Sequence, residues 1–208
     1  MKTGTVIVAA GMSSRMKAFK PLLPLSGSTI IGTAIATLQA AGIQDIAVVT
    51  GNGAEKLEQY LSATGVTCLY NEQYETTDMF SSAKIGLGYQ KDRCDRVFFL
   101  PGDVPLFSRQ SLVSMQNDMN DSRCEILLPV HKGKMGHPIL LNSNAIPFLT
   151  DYRGGGGLKG ALDSFSGLKR IIELNDVGMT LDADRPEDYE QLKAYVRRRS
   201  DGADTADV

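Results

Sequence analysis

A single-domain α/β fold, with a mostly parallel central sheet and helices on both faces, is predicted by three features of the sequence. Strand and helix signals alternate from the first residues, as repeated β-α units require. Val6 to Ala10 and Arg96 to Leu100 carry apolar runs of the kind found in strands covered on both sides. At 208 residues, with 42% apolar and 22% charged side chains, the chain can bury one sizeable core without metal or disulfide staples.

Val6 to Ala10 opens the sheet and a long loop follows. Ser28 supplies a hydroxyl cap before Ile30, Ile31, Ala34, Ile35, Leu38 and Ala41, whose spacing makes one helical stripe ended by Gly42. Ile46 to Val49 and Val66 to Tyr70 read as strands on either side of a Gly53 to Ala63 helix with Leu57, Tyr60 and Leu61 on one face. Polar residues Asn71 to Asp78 form a loop, Phe80 to Tyr89 a helix, and Ser108 to Met119 a further helix beyond the Arg96 to Leu100 strand. The second half is less regular. Ile126 to Val130 and Pro138 to Leu141 read as strands, Asn142 to Leu149 and Leu158 to Phe165 as helices, and Arg170 to Leu174 and Met179 to Leu181 as extended. Pro186 suits the first turn of a closing helix to Arg199, because the amide hydrogen it lacks is unused there. One domain over residues 1–199 with a disordered tail over 200–208 is the expected organisation.

Composition narrows the function. Twenty-two basic residues face 24 acidic ones for a net charge of −2, which argues against a partner held by phosphate neutralisation, so no nucleic acid is expected. Cys68, Cys94 and Cys124 stand singly, without the paired spacing of a zinc site or disulfide frame. The N-terminal apolar run stops at Gly11, too short for a signal core or a membrane span, so the expected location is cytoplasmic, with no membrane partner.

The sharpest chemical signal is AAGMSSRMKAFKP, Ala9 to Pro21, directly after the first strand, where ligands of open α/β sheets sit. Ala9, Ala10 and Gly11 leave room for close approach to the backbone, and unpaired amides with Ser13 and Ser14 suit phosphate oxygens. Arg15 and Lys20 add fixed positive charge for a polyphosphate. The loop is neither GxxxxGK[ST] nor GxGxxG, which sets aside a P-loop ATPase and a dinucleotide dehydrogenase. A plain Gly-Ser turn flanked by solvated basic residues is the alternative. Asp103, in RVFFLPGDVP, leaves a central strand where a carboxylate can hold Mg²⁺, or serves only as a turn residue. Asp182 and Asp184 lie where a strand meets a helix; either could converge on the same ion, although an aspartate just before Arg185-Pro186 is also a good helix cap. His137 contacts a substrate or only holds a loop. The glycines Gly154 to Gly157 form a flap ahead of a helix N-terminus or a simple connector.

These residues carry a resemblance. VAAGMSSRMKAFK is similar to the LAAGxSxRMGxxK signature of the MobA-like nucleotidyltransferases, most closely their molybdenum cofactor cytidylyltransferase branch, keeping Ala9, Ala10, Gly11, Ser13, Arg15, Met16 and Lys20. Leu100, Asp103 and Pro105 match the central LxxDxP signature. Gly136 to Pro138 and Asp182 to Asp188 are similar to further family segments, so the likeness runs from Val6 to about Tyr195. NEQYETTDMFSS looks like the family's asparagine and GMxxS segment near base and acceptor, bringing in Asn71, Ser81 and Ser82. Lys17 and Asp78 stand where the family has glycine.

The resemblance implies a Rossmann-like nucleotidyltransferase fold, a loop that binds an NTP, and Mg²⁺ held by Asp103 and Asp182. It implies direct nucleotidyl transfer from CTP to a phosphorylated small molecule, the molybdopterin cofactor, aided by Arg15 and Lys20, with a molybdoenzyme or its chaperone as recipient. The Ala-Ala-Gly form of the loop accompanies cytidine rather than guanine use. The rivals are the same chemistry on a sugar phosphate, polyol phosphate or phosphocholine, GTP in place of CTP, and a non-catalytic nucleotide or cofactor carrier.

Overall fold

A computed structural model describes residues 1–12, 16 and 18–200; Ser13, Ser14, Arg15 and Lys17, and the tail 201–208, lie outside the described residues, and with them the expectations placed there. Strands β1 (Thr3–Val8), β4 (Asp45–Thr50), β5 (Thr67–Tyr70), β6 (Arg96–Pro101), β7 (Ile126–His131), β9 (Ile139–Asn142) and β10 (Lys169–Glu173) form one sheet in the order β10-β7-β9-β6-β1-β4-β5. β1 lies parallel to β4 and β6, β4 to β5, and β7 to β10, whereas β9 runs antiparallel between β6 and β7. The small strand β8 (Lys134–Met135) folds back on β7 through Lys132 and Gly133, both at positive φ, as a two-residue hairpin turn requires. A separate hairpin, β2 (Pro24–Leu25) with β3 (Ser28–Thr29), interrupts the loop after β1.

Helices α1 (Ile30–Ala40), α2 (Ala54–Leu61), α3 (Met79–Gln90), α4 (Arg109–Ser122), α5 (Ile146–Asp151), α6 (Gly157–Ser164) and α7 (Pro186–Ser200) connect the strands. Alternation along the strands divides the core. Ile7, Val48, Phe98 and Leu100 pack with Ile31, Leu38, Leu57 and Met115 of α1, α2 and α4. Val6, Val8, Val97 and Phe99 pack with Phe80, Leu87, Ile146 and Leu158 of α3, α5 and α6 on the other face. Each such fully buried Leu, Ile or Phe contributes roughly 1.5–3 kcal/mol, so the two-sided sheet is the main source of stability. A smaller cluster, with Leu25, Ile30, Leu106 and Leu192, seats α7 on the hairpin.

The expected alternation holds, with two local corrections. The cap of α1 is Thr29, not Ser28: Thr29 is the last extended residue, and its Oγ1 accepts from the Gly32 amide at 3.0 Å. Met179 to Leu181 is not a strand, because residues Val177–Thr180 close into a 3-10 turn capped by the Asp176 side chain. Among the described residues no helix is long and apolar enough to cross a membrane.

Candidate active site

The chain enters β1, moves to β4 and β5 on one side, then returns to β6 on the other. The reversal leaves a crevice beyond the carboxyl ends of β1 and β6, where open α/β sheets bind ligands. A cleft of about 470 Å³ occupies that position. Its floor is the turn Ala9–Gly11, fixed from both sides: Ala9 donates its amide to Val49 O at 2.9 Å and Gly102 donates to Val8 O at 2.8 Å. Among the described residues, a Cβ built on Gly11 would meet nothing within 4 Å.

Lys20 enters from the 3-10 turn Lys20–Leu22, and its Nζ donates to Asp184 Oδ1 at 2.8 Å and to Asp103 Oδ2 at 3.3 Å. The lysine side chain is 12% exposed and that of Asp103 22%, so this charge triad is partly withdrawn from water. Asp103 and Asp184 meet because the Ala183 amide donates to the Asp103 carbonyl at 3.0 Å, stapling the segment before α7 to the loop after β6. Asp182 lines the same cleft. Partial desolvation pushes its carboxyl above the usual range, and the nearby charges of Asp103 and Asp184 push it further the same way.

The staple has its own support in Asp176, a buried residue for which sequence reasoning gave no signal. Its Oδ2 accepts from the Ser108 amide and the Ser111 hydroxyl, both at 2.7 Å, and its Oδ1 from the Gly178 amide at 3.1 Å. Beside it, a Cβ on Gly136 would lie 3.0 Å from Met179 O, so only glycine lets the two segments touch, and His137 donates its amide to Met179 O at 2.8 Å. His137 lines the cleft, and its imidazole Nδ1 is buried and, among the described residues, without a hydrogen-bond partner. Burial lowers its pKa to about 4, against a smaller opposing effect of a hydrogen bond to the Phe99 backbone. The ring is therefore neutral at pH 7.

Of the residues singled out from sequence, Ala9, Ala10, Gly11, Lys20, Ser82, Asp103, His137 and Asp182 line the cleft. Asn71 stands behind it, buried, donating its amide to Ser82 Oγ at 2.9 Å and accepting from the Gln73 backbone at 2.9 Å. Ser81 turns its hydroxyl onto Asp78 Oδ1 at 2.7 Å. Ser13, Ser14 and Arg15 lie outside the described residues. Tyr74, Thr77, Asp78 and Met79 also line the cleft; they fall within the stretch NEQYETTDMFSS that the resemblance placed near base and acceptor, although they were not named there as site residues. Asp184, read as a metal ligand or a helix cap, lines the cleft and accepts from Lys20 Nζ at 2.8 Å.

Residues 5–171 match the MobA-like NTP transferase domain, a span that ends before Asp182 and Asp184. The chain is 28% identical over 185 residues to the molybdenum cofactor cytidylyltransferase of Escherichia coli K12, covering 88% of this chain and 92% of that one. A nucleotidyl transferase from Methanothermobacter superposes with a TM-score of 0.79 at 21% identity, over 95% of this chain and 99% of that one. Rv0371c of Mycobacterium tuberculosis in complex with manganese gives 0.75 at 20% identity, over 93% and 99%. The last two likenesses establish the fold.

Proposed function

The chain belongs to the MobA-like NTP transferase family, and from that premise we propose that it is a Mg²⁺-dependent enzyme that transfers CMP from CTP to the terminal phosphate of the molybdopterin cofactor. The observation that carries this reading is the Lys20 ammonium between Asp103 and Asp184 at the mouth of a nucleotide-sized cleft. Likeness to the E. coli cytidylyltransferase and the Ala9-Ala10-Gly11 form of the loop support cytidine and the pterin acceptor.

In this mechanism an acceptor phosphate oxygen attacks the α-phosphorus of CTP. One P–O bond forms, the bond to the bridging α,β oxygen breaks, and pyrophosphate leaves with that electron pair. The attacking phosphate is already largely ionised near pH 7, so no side chain need remove a proton. Rate then comes from aligning two anions and offsetting their charge. The Ala9–Gly11 backbone, with Ser13, Ser14 and Arg15, cradles the triphosphate. Lys20 moves from its carboxylates to the departing pyrophosphate, while Ser82 and His137 line the positions of nucleoside and acceptor. Asn71 orients Ser82, and Ser81 orients the start of α3.

The donor set at Asp103 and Asp182 fits Mg²⁺: hard oxygens, two carboxylates, and like-charge crowding at Asp182 that a cation relieves. Among the described residues no group of three acidic, His or Cys side chains gathers to cage a metal, which suits an ion that takes its remaining oxygens from phosphates and water. When bound, the ion supplies positive charge at the reacting phosphates. The proposed location is the cytoplasm, with a molybdoenzyme or its chaperone receiving the product.

Pyrophosphate release across CTP, GTP, UTP and ATP, with molybdopterin, sugar phosphates, a polyol phosphate and phosphocholine as acceptors, tests the reading. Turnover of CTP with molybdopterin is expected. Turnover confined to another acceptor overturns the pterin assignment, and nucleotide binding with no release under any acceptor makes the protein a carrier.

A further inference from the structure

We infer that Asp78 is a specificity residue that reads the exocyclic amino group of the nucleobase, accepting a hydrogen bond from the cytosine 4-amino group and rejecting uracil. The inference rests on the cytidylyl reading above and deepens it.

The sheet orders the cleft. Loops after β6, β1, β4 and β5 follow one another in space, each strand about 4.8 Å from the next. The cationic and acidic groups, Lys20, Asp103 and Asp182, stand beyond β6 and β1. A nucleoside triphosphate whose phosphates lie there extends its base toward the loops after β4 and β5. Those loops touch the nucleotide turn directly: a Cβ on Gly51 would lie 2.7 Å from Tyr74 Cβ and 2.8 Å from Ala10 O. Tyr74 and Met79 bring flat and apolar surface to that end of the cleft, and Asp78 stands between them in the chain and lines the same wall.

The carboxylate is held ready. Its Oδ1 accepts from the Ser81 amide at 2.8 Å and the Ser81 hydroxyl at 2.7 Å, which fixes the side chain at the N-terminus of α3. Those bonds, the hydroxyl's first, hold the carboxyl below its ordinary pKa, so it is an ionised, acceptor-only group at pH 7. Oδ2 faces Gly157, whose φ of +59° favours glycine and where a Cβ would come within 3.5 Å of that oxygen. An ionised acceptor beside a base discriminates by hydrogen-bond polarity. Cytosine offers an N–H where uracil offers a carbonyl oxygen, and the carboxylate attracts the first and repels the second. A charge-assisted hydrogen bond of this kind corresponds to about tenfold to a hundredfold in affinity.

The test is direct binding of CTP and UTP, each with Mg²⁺, to the full chain and to Asp78→Asn, with thermal melts as a control for folding. Asparagine caps helices as well as aspartate does, so the variant keeps α3. The wild type is expected to bind CTP at least tenfold more tightly than UTP, and Asp78→Asn to bring that ratio near one. A wild type without the preference overturns the choice of CTP itself. A preference retained in Asp78→Asn overturns the role of Asp78 alone. In turnover, a raised acceptor KM with the CTP to UTP ratio intact would assign the carboxylate to the acceptor and so refute the inference.

Discussion

Replacing Lys20 by methionine keeps the length of the side chain and removes the ammonium that bonds both Asp103 and Asp184. The bond to Asp103, at 3.3 Å with side chains 12% and 22% exposed, is the more protected of the two contacts; that to Asp184, at 2.8 Å, is discounted because the aspartate is 43% exposed. A partly buried charged hydrogen bond lost from one side costs about 2 kcal/mol. For a domain of this size that lowers Tm by about 4–8 °C in metal-free buffer. The lysine also competes with any divalent cation for the same oxygens. Lys20→Met therefore responds more strongly to Mg²⁺ or Mn²⁺ than the wild type in the absence of nucleotide. A tenfold gain in metal affinity appears as about 1.4 kcal/mol of extra stabilisation at saturating ion. Scanning calorimetry with and without metal measures both effects, and turnover should be lost although the metal is held more tightly. A variant with the wild-type Tm and the wild-type metal response would show that the ammonium neither supports nor competes at these carboxylates.

Asp103→Asn should abolish metal-dependent pyrophosphate release with a circular dichroism spectrum like that of the wild type; unchanged turnover would remove Asp103 from the chemistry. Asp176→Ala strands three donors, the Ser108 and Gly178 amides and the Ser111 hydroxyl, and should cost about 3 kcal/mol, read as a fall in Tm of about 6–12 °C. His137 titrates near 4 in the fold against 6.5 in the unfolded chain. Its contribution is intact above pH 6.5 and is lost as pH falls toward 4, up to about 3 kcal/mol. Denaturant titrations at pH 7 and pH 4.5 should show the loss, and His137→Gln should flatten the slope between them.

The strands that cross the centre of the sheet were legible because their side chains are apolar on both faces, as Val97 to Leu100 show. Their ends were not. β1 begins at Thr3, where pairing with Arg96 extends the ladder through polar residues, and stops at Val8, where the chain leaves to form the Ala9–Gly11 turn. The acidic groups of the site stood out in sequence because each follows a recognisable boundary, yet their grouping depends on a backbone hydrogen bond from Ala183 to Asp103 that no local pattern announces. Asp176 was silent for the same reason: its partners, Ser108 and Ser111, are distant in the chain. The pairing of Lys20 with Asp184, 164 residues further along the chain, had no local signal either.

That bond between Ala183 and Asp103 also sets when the cleft can first exist during biosynthesis. The strands β1, β4, β5 and β6 can pair as they leave the ribosome, since each neighbours an earlier one. The carboxylate set stays incomplete until the stretch ahead of the last helix has emerged and docked. A nascent or prematurely terminated polypeptide would thus hold most of its hydrophobic interior, and Asp103 with it, while lacking Asp182 and Asp184 at the cleft.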